Sequence, residues 1–158
     1  MPVRPVDLRG LRILVVEDEF LVSLDLEAML RQLGGEVIGP FAGLERATAV
    51  ARAEALDVAL LDVNVGGQLV TPVADALAER TIPFVFCTGY AAASLPGQHA
   101  AVPIVMKPCQ PQQLKEALLG ALQGGAQGRP PSGKKARGRA APKPGADRAR
   151  RAGRRPED

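Results

Sequence analysis

Five residues whose side chains can do chemistry lie where apolar runs of the sequence end. Glu17 and Asp18 follow "RILVV", Asp62 follows "VALL", Thr88 follows "FVFC" and Lys107 follows "PIVM". A carboxylate at the end of a buried run costs desolvation energy unless a cation or hydrogen bonds compensate it. Carboxylates that crowd together also repel one another and raise their pKa values. If these residues converge, a cation among the three acids resolves the repulsion.

The residue types indicate which cation and which ligand such a site would take. Carboxylates with few other protein ligands suit Mg²⁺, a hard cation that keeps several of its waters. The hydroxyl of Thr88 and the ammonium of Lys107 add hydrogen-bond donors for an anion. An acid, a metal, a hydroxyl and a lysine together form a site that can take up a phosphoryl group.

Each of these residues also has a plain structural interpretation. Asp62 could form a turn or cap a helix, and Glu17 and Asp18 could cap the helix that follows them. Lys107 could be solvated. These alternatives leave the coincidence of polar groups at four apolar run ends unexplained, and we therefore favour the site.

The apolar pattern predicts alternating strands and helices. Aliphatic runs indicate strands at Arg12–Asp18, Glu36–Phe41, Asp57–Val63, Pro83–Gly89 and Val102–Pro108. Helical spacing indicates helices at Glu19–Gly34, Gly43–Ala55, Thr71–Thr81 and Pro111–Gln123. In the first helix the spaced apolar residues are Phe20, Leu24, Met29 or Leu30, and Leu33. Residues 90–101 fit less well because Pro96 and Gly97 interrupt any helix, and we expect a short, frayed or mobile element there.

This βα repeat predicts an α/β fold with a five-stranded parallel sheet between two layers of helices. In open sheets of this kind, ligands bind beyond the carboxyl ends of the strands, where the five polar residues would meet. Aromatic residues make up only 3% of the chain, so we expect an aliphatic core.

Charge divides the 158-residue chain into an acidic domain and a basic tail. Residues 1–123 hold 9 Lys+Arg against 14 Asp+Glu, whereas residues 124–158 hold 11 against 3. The tail contains no Leu, Ile, Val or aromatic residue, so it cannot build a core and should be disordered. We expect an N-terminal extension at 1–10, one domain at 11–123 and the tail at 124–158.

The remaining features indicate a cytoplasmic protein with no membrane association. No apolar run reaches the roughly 18 residues of a membrane span, and the N-terminus lacks the apolar segment of a signal peptide. Cys87 and Cys109 have no metal-ligand spacing, so we expect reduced thiols. The single histidine, His99, is interpreted as a surface residue and not as a ligand.

The ordered set of motifs resembles a known family, the receiver domains of response regulators. An acidic pair after the first strand, Asp62 after the third, Thr88 after the fourth and Lys107-Pro108 after the fifth carry the resemblance over roughly 11–123. It implies a flavodoxin-like fold with strand order 2-1-3-4-5. It also implies that Asp62 is the phosphoacceptor, which receives its phosphoryl group from a sensor histidine kinase or a histidine phosphotransfer protein.

The same resemblance implies a role for each neighbour of Asp62. Asp18 would ligate Mg²⁺ directly and Glu17 through a bound water, while Asp62 and the backbone carbonyl of Asn64 complete the protein ligands. Lys107 would pair with the phosphoryl oxygens, and in the same family the strand-four threonine hydrogen-bonds them and acts as a switch.

The fourth strand resembles a subgroup of receivers marked by a Phe-Ala-Thr-Gly-Tyr motif, with Cys87 in place of the alanine. Because the fifth strand lacks the usual aromatic residue, we hypothesise that Tyr90, together with Thr88, reads out the switch. A tyrosine at the rim of the site with no signalling role is the alternative. The glycines after Asp62, Gly66 and Gly67, permit positive φ values and close backbone approach to a metal.

The resemblance implies a stand-alone response regulator of a two-component phosphorelay, not an enzyme beyond weak autophosphatase activity. It would signal by phosphorylation-dependent binding of a downstream protein or by phosphotransfer. A folded receiver that is not phosphorylated is one alternative. A regulator that binds nucleic acid weakly and non-specifically through its basic tail is another. The tail could also fold back on the domain or simply aid solubility.

Overall fold

A five-stranded parallel sheet forms the centre of the computed structural model, which describes residues 7–89, 99 and 101–124. The strands are β1 (Arg12–Val16), β2 (Glu36–Phe41), β3 (Val58–Asp62), β4 (Asn64–Val65), β5 (Gln68–Leu69), β6 (Phe84–Thr88) and β7 (Ile104–Met106). The helices are α1 (Phe20–Gln32), α2 (Leu44–Ala53), α3 (Thr71–Glu79) and α4 (Pro111–Gly124). The sheet order is β2-β1-β3-β6-β7, which confirms the predicted order 2-1-3-4-5.

The two faces of the sheet bury two separate aliphatic cores, because successive strand residues point to opposite faces. Ile13 and Val15 of β1 pack in the core that α1 and α4 cover. Leu14 and Val16 pack in the core that α2 and α3 cover, and this core also holds the phenylalanines of β6. The three layers and the aliphatic core are therefore confirmed.

The buried face of α1 matches the predicted spacing at Leu30 and Leu33 but differs from it in the first half of the helix. Leu26 and Leu30 are buried against the sheet, whereas Leu24 is exposed and Phe20 retains 73% of its surface. Residues two positions apart on a helix point in nearly opposite directions, about 200° apart, so Leu24 and Leu26 cannot both face the sheet. The apolar residues of α1 occupy more than one stripe, so spacing identified the packed residues of the second half of the helix but missed Leu26.

Three regions of the sequence-based predictions lie outside the described residues. They are the first six residues, residues 90–98 and 100, which include Tyr90 and most of the predicted frayed or mobile element, and the tail from residue 125 onward. The expected disorder of the tail and the switch role of Tyr90 stay predictions. Among the helices in the described part of the chain, none is both long enough and apolar enough to cross a membrane.

Replacing Gly39 with alanine is expected to destabilise the sheet. Gly39 has a φ of +111°, and an added Cβ would lie 2.9 Å from both the Val15 carbonyl oxygen and the Phe41 amide nitrogen. Backbone atoms of two paired strands cannot move aside cheaply. We expect Gly39→Ala to lower the free energy of unfolding by about 2 kcal/mol or more, measured by urea denaturation.

The matched control is Gly120→Ala in α4, where an added Cβ meets no atom of the described residues within 4 Å. Because alanine favours a helix over glycine, this variant should gain about 0.5–1 kcal/mol. Equal effects of the two substitutions would contradict the steric explanation.

Candidate functional site

The carboxyl-terminal edge of the sheet brings the predicted polar residues together. Glu17 and Asp18 directly follow β1, Asp62 ends β3, and Thr88 ends β6. The amide of Lys107 donates to the Thr88 carbonyl at 2.9 Å, which continues the β6–β7 pairing beyond the last residue of β7. Parallel pairing in this order therefore places residues from four strand ends side by side.

Lys107 lies between two carboxylates. Its Nζ is 2.7 Å from Glu17 Oε2 and donates a hydrogen bond to Asp62 Oδ2 at 3.1 Å. The Lys107 side chain is only 17% exposed and that of Glu17 only 1%. Burial by itself lowers the pKa of Lys107, but the contacts and charges of Glu17 and Asp62 outweigh burial and raise the Lys107 pKa above its usual value. The ammonium is therefore retained at neutral pH.

Glu17 is a buried carboxylate whose charge is only partly compensated. Its Oε1 accepts a hydrogen bond from the Glu19 amide at 3.1 Å, and its Oε2 contacts Lys107. Burial raises the pKa of Glu17, and the negative charge of Asp62 raises it further, while Lys107 and the Glu19 amide act in the opposite direction. The result is a pKa above the ordinary value of 4.5, which favours the arrival of a further cation.

This raised pKa predicts how stability depends on pH. The folded protein binds the Glu17 proton more tightly than the unfolded chain, so the stability from protonation is fully present below about pH 4.5. It is lost as the pH rises through the folded-state pKa. We expect the wild type to gain stability relative to Glu17→Gln when the pH falls from about 7 to 5 in EDTA, as urea denaturation would show.

Added Mg²⁺ should shrink that pH-dependent difference, because a bound cation keeps Glu17 ionised. If the free energies of unfolding of the wild type and Glu17→Gln differ by the same amount at both pH values, the raised pKa of Glu17 is contradicted.

Asp18 is exposed and is held by a hairpin that was not predicted from the sequence. Its Oδ2 accepts a hydrogen bond from the Gly66 amide at 2.8 Å. Strands β4 and β5 pair antiparallel, and Gly66 and Gly67 between them have φ values of +60° and +82°. Positive φ at both central residues is typical of a tight hairpin turn, which explains the two glycines. The sequence did carry this signal, since two glycines separate Val65 from Gln68.

The three acids fit a divalent cation. One carboxylate oxygen from each of Glu17, Asp18 and Asp62 lies within 4.8 Å of the others. Ligands of octahedral Mg²⁺, bound at about 2.1 Å, lie about 3 Å apart when adjacent and about 4.2 Å apart when opposite. The acids therefore need only a small closure around such an ion. The three carboxylates, when ionised, carry three negative charges, and Lys107 supplies one positive charge beside them. Two negative charges then remain for a divalent cation to neutralise.

An open cleft of about 750 Å³ lies over these groups. Asp62, Asn64, Gly89 and Lys107 all line it, so a molecule in the cleft reaches the Asp62 carboxylate. Thr88 is buried and is not among the residues that line the cleft, although the next residue, Gly89, is. An added Cβ at Gly89 would meet no atom of the described residues within 4 Å, so the glycine leaves open space beside Thr88. Position 89 therefore contributes no side chain that would shield the site.

The interpretation of His99 as a surface residue is wrong. His99 is buried, its Nε2 lies 2.9 Å from Asp75 Oδ1, and its ring packs edge-on against Phe84 and Phe86. The aromatic residues of β6 and an acid of α3 create this environment. Because Asp75 is 24 positions away in the sequence, no local pattern could reveal the pair.

The two cysteines meet at the edge of the site. Both are free thiols, and Cys87 Sγ lies 2.6 Å from Cys109 Sγ. The hydrogen bond between them lowers the pKa of Cys109 and, together with burial, raises the pKa of Cys87. This contact was not predicted from the sequence. The sequence did contain a clue to it. Cys87 directly precedes Thr88, Cys109 directly follows Lys107-Pro108, and the two strands that these residues end were predicted to be neighbours.

Comparison with known proteins agrees with this architecture. The solution structure of SdrG from Sphingomonas melonis Fr1 is similar to 72% of this chain and is matched over 96% of its own length, with 38% identity and a TM-score of 0.64. A signal receiver domain of a modulated diguanylate cyclase from Desulfovibrio desulfuricans G20 matches over 73% of this chain and 95% of its own, with 25% identity and a TM-score of 0.63. The chain belongs to the response-regulator receiver family.

A curated relative extends the comparison of this receiver to a larger protein. The phyllosphere-induced regulator PhyR of Methylorubrum extorquens is 31% identical over 114 residues, which cover 70% of this chain and 43% of PhyR. The receiver therefore spans less than half the length of that relative. No family model matches the chain.

Proposed function

We propose that Asp62 of this response regulator is the phosphoacceptor and that Mg²⁺ bound by the acidic cluster is needed for the transfer. The observation that carries the proposal is the position of Asp62: its carboxylate borders the open cleft, with Lys107 Nζ 3.1 Å away and two further acids within 4.8 Å. A carboxylate nucleophile, a cation site and a fixed ammonium are the parts that phosphoryl transfer requires.

In the proposed reaction, an Asp62 carboxylate oxygen attacks the phosphorus of a phosphohistidine. The oxygen–phosphorus bond forms, the nitrogen–phosphorus bond of the donor breaks, and the imidazole leaves with the electron pair. Lys107 faces the oxygens of the transferred group, and Thr88 donates a hydrogen bond to one of them. Mg²⁺ held by the acids would supply positive charge that offsets the repulsion between the acids and the phosphoryl oxygens.

Each of the three acids has its own proposed mode of contact with the cation. Asp18 is exposed and oriented by the Gly66 amide, so we assign it direct ligation. Glu17 is buried behind Lys107, which suits contact through a bound water. Asp62 would also ligate the cation directly. The backbone carbonyl of Asn64, which borders the same cleft, is proposed as the remaining protein ligand.

The partners follow from this chemistry. A sensor histidine kinase or a histidine phosphotransfer protein in the cytoplasm would supply the phosphoryl group, and a downstream protein would bind the phosphorylated receiver. Phe20 and Leu21 of α1 expose apolar surface near the cleft, where Val22 and Asp25 of the same helix line it. Such a surface suits a protein donor that must bring its phosphohistidine to Asp62.

A direct test uses acetyl phosphate as the donor and intact-mass spectrometry as the readout. With Mg²⁺ the wild type should gain one phosphoryl group, and with EDTA it should gain none. Asp18→Asn should need at least about tenfold more Mg²⁺ for half-maximal uptake. Losing a residue that only hydrogen-bonds to a metal ligand typically costs about 10–100-fold in metal affinity, and losing a direct ligand should cost at least as much.

Asparagine keeps an oxygen that can accept the Gly66 amide, so Asp18→Asn should preserve the hairpin. The matched control is Glu19→Gln, an exposed acid next in sequence whose side chain has no proposed role, and its Mg²⁺ requirement should equal that of the wild type. Equal uptake in Mg²⁺ and in EDTA would exclude the metal-dependent mechanism.

A further inference from the structure

We propose that Cys87 and Cys109 form an oxidisable pair whose disulfide, made by hydrogen peroxide, slows phosphoryl uptake at the neighbouring Asp62. The effect on uptake rests on the proposed function, whereas formation of the disulfide does not.

The geometry of the pair supports direct closure. The two sulfur atoms lie 2.6 Å apart, compared with about 2.05 Å in a disulfide bond. Cys87 is buried at the end of β6, and Cys109 is partly exposed and lines the open cleft. An oxidant in the cleft therefore reaches Cys109 first, with Cys87 directly behind it.

The electrostatics assign the same order of reaction. A thiolate, and not a thiol, attacks peroxide. The hydrogen bond with Cys87 lowers the pKa of Cys109, and the ammonium of Lys107 acts in the same direction against the opposing effects of burial and Glu17. Cys109 is thus the attacking residue, and Cys87 is the resolving residue.

The chemical steps balance with peroxide as the only oxidant. The Cys109 thiolate attacks one oxygen of the peroxide, the oxygen–oxygen bond breaks, and hydroxide leaves to give the sulfenic acid. Cys87 sulfur then attacks the Cys109 sulfur, the sulfur–oxygen bond breaks, and the leaving hydroxyl departs as water with the Cys87 proton. In total, two thiols and one peroxide become one disulfide and two waters, and a thiol reductant reverses the change.

The disulfide would link two segments of the phosphoryl site. Cys87 immediately precedes Thr88, and Cys109 lies two residues after Lys107. Lys107 Nζ now contacts Asp62 at 3.1 Å, so it must withdraw when a phosphoryl group is added to that carboxylate. A covalent link from the segment after Lys107 to β6 restrains this adjustment. We therefore expect oxidation to slow uptake at least threefold.

The experiment treats the full chain with hydrogen peroxide after the reductant is removed. Intact mass, maleimide labelling of free thiols and peptide mapping follow the cysteines, while uptake from acetyl phosphate with Mg²⁺ follows the site. The chain has two cysteines, so Cys109→Ser cannot form an intramolecular disulfide. Because Cys87 is buried, Cys87→Ala serves as the second variant in place of a polar substitution.

Three results support the proposal together: simultaneous loss of both thiols with a Cys87–Cys109 link, uptake at least threefold slower until dithiothreitol is added, and no effect of peroxide on uptake by either variant. Sulfinic acid at Cys109 alone, or a disulfide between two molecules, would overturn the proposal that Cys87 and Cys109 form a disulfide with each other. A Cys87–Cys109 disulfide with unchanged phosphoryl uptake would overturn the proposal that this disulfide regulates uptake. If the reduced wild type takes up no phosphoryl group, the proposed function and the regulation fail together, and the thiol readouts still judge the pair separately.

Discussion

Replacing Asp62 with asparagine is expected to abolish phosphoryl uptake from acetyl phosphate. The amide that replaces the carboxylate has nearly the same size but is a far weaker nucleophile, and it removes a negative charge from the cation site. Glu17 and Lys107 remain paired at 2.7 Å, so the variant should fold. The measurement is intact-mass spectrometry after incubation with Mg²⁺, with circular dichroism as a check of folding.

Asp25→Asn is the matched control for this variant. Asp25 is an exposed carboxylate of α1 that lines the same cleft, and it is replaced by the same amide. It should take up phosphate as the wild type does. Equal labelling of Asp62→Asn and Asp25→Asn would show that a different residue accepts the phosphoryl group.

Replacing Lys107 with methionine is expected to impair both uptake and stability. Removing one fixed positive group that faces developing negative charge typically costs about 100-fold or more in rate. The same substitution leaves Glu17 and Asp62 facing each other without their ammonium. Breaking a buried pair costs about 3–5 kcal/mol, and the partial exposure of Lys107 reduces our expectation to about 2–3 kcal/mol.

Mg²⁺ separates the two effects of Lys107→Met. A bound cation neutralises the carboxylates, so saturating Mg²⁺ should recover part of the lost stability while uptake stays slow. Lys115→Met on α4, a lysine that does not line the cleft, should match the wild type in both measurements. A Lys107→Met protein with wild-type stability in EDTA would contradict the described role of the ammonium.

The sequence was sufficient to predict the sheet and its polar edge, because those features depend on local patterns and one general rule. Continuous aliphatic runs identified the buried strands, and parallel strands place their carboxyl ends at one edge. Asp62 and Lys107 are 45 positions apart, yet both could be located because each directly follows such a run.

The features that were missed depend on contacts between distant residues. His99 could not be recognised as buried because its partners, Asp75 and the β6 phenylalanines, are distant in sequence. The packed stripe in the first half of α1 depends on how the helix lies on the sheet, so the apolar spacing that includes Leu24 did not identify it. Predicting the contact between Cys87 and Cys109 would have required both the strand order and the path of the chain after Lys107.

The measurement that tests the central claim most directly locates the phosphoryl group in the wild-type protein. Tritiated borohydride reduces an acyl phosphate and leaves its label on the residue that carried it. After incubation with acetyl phosphate and Mg²⁺, reduction and proteolysis should place the tritium on the peptide containing Asp62, and on no peptide after incubation in EDTA. Tritium on the peptide containing Asp18, or a phosphorylated protein that borohydride does not label, would contradict the assignment of Asp62 as the phosphoacceptor.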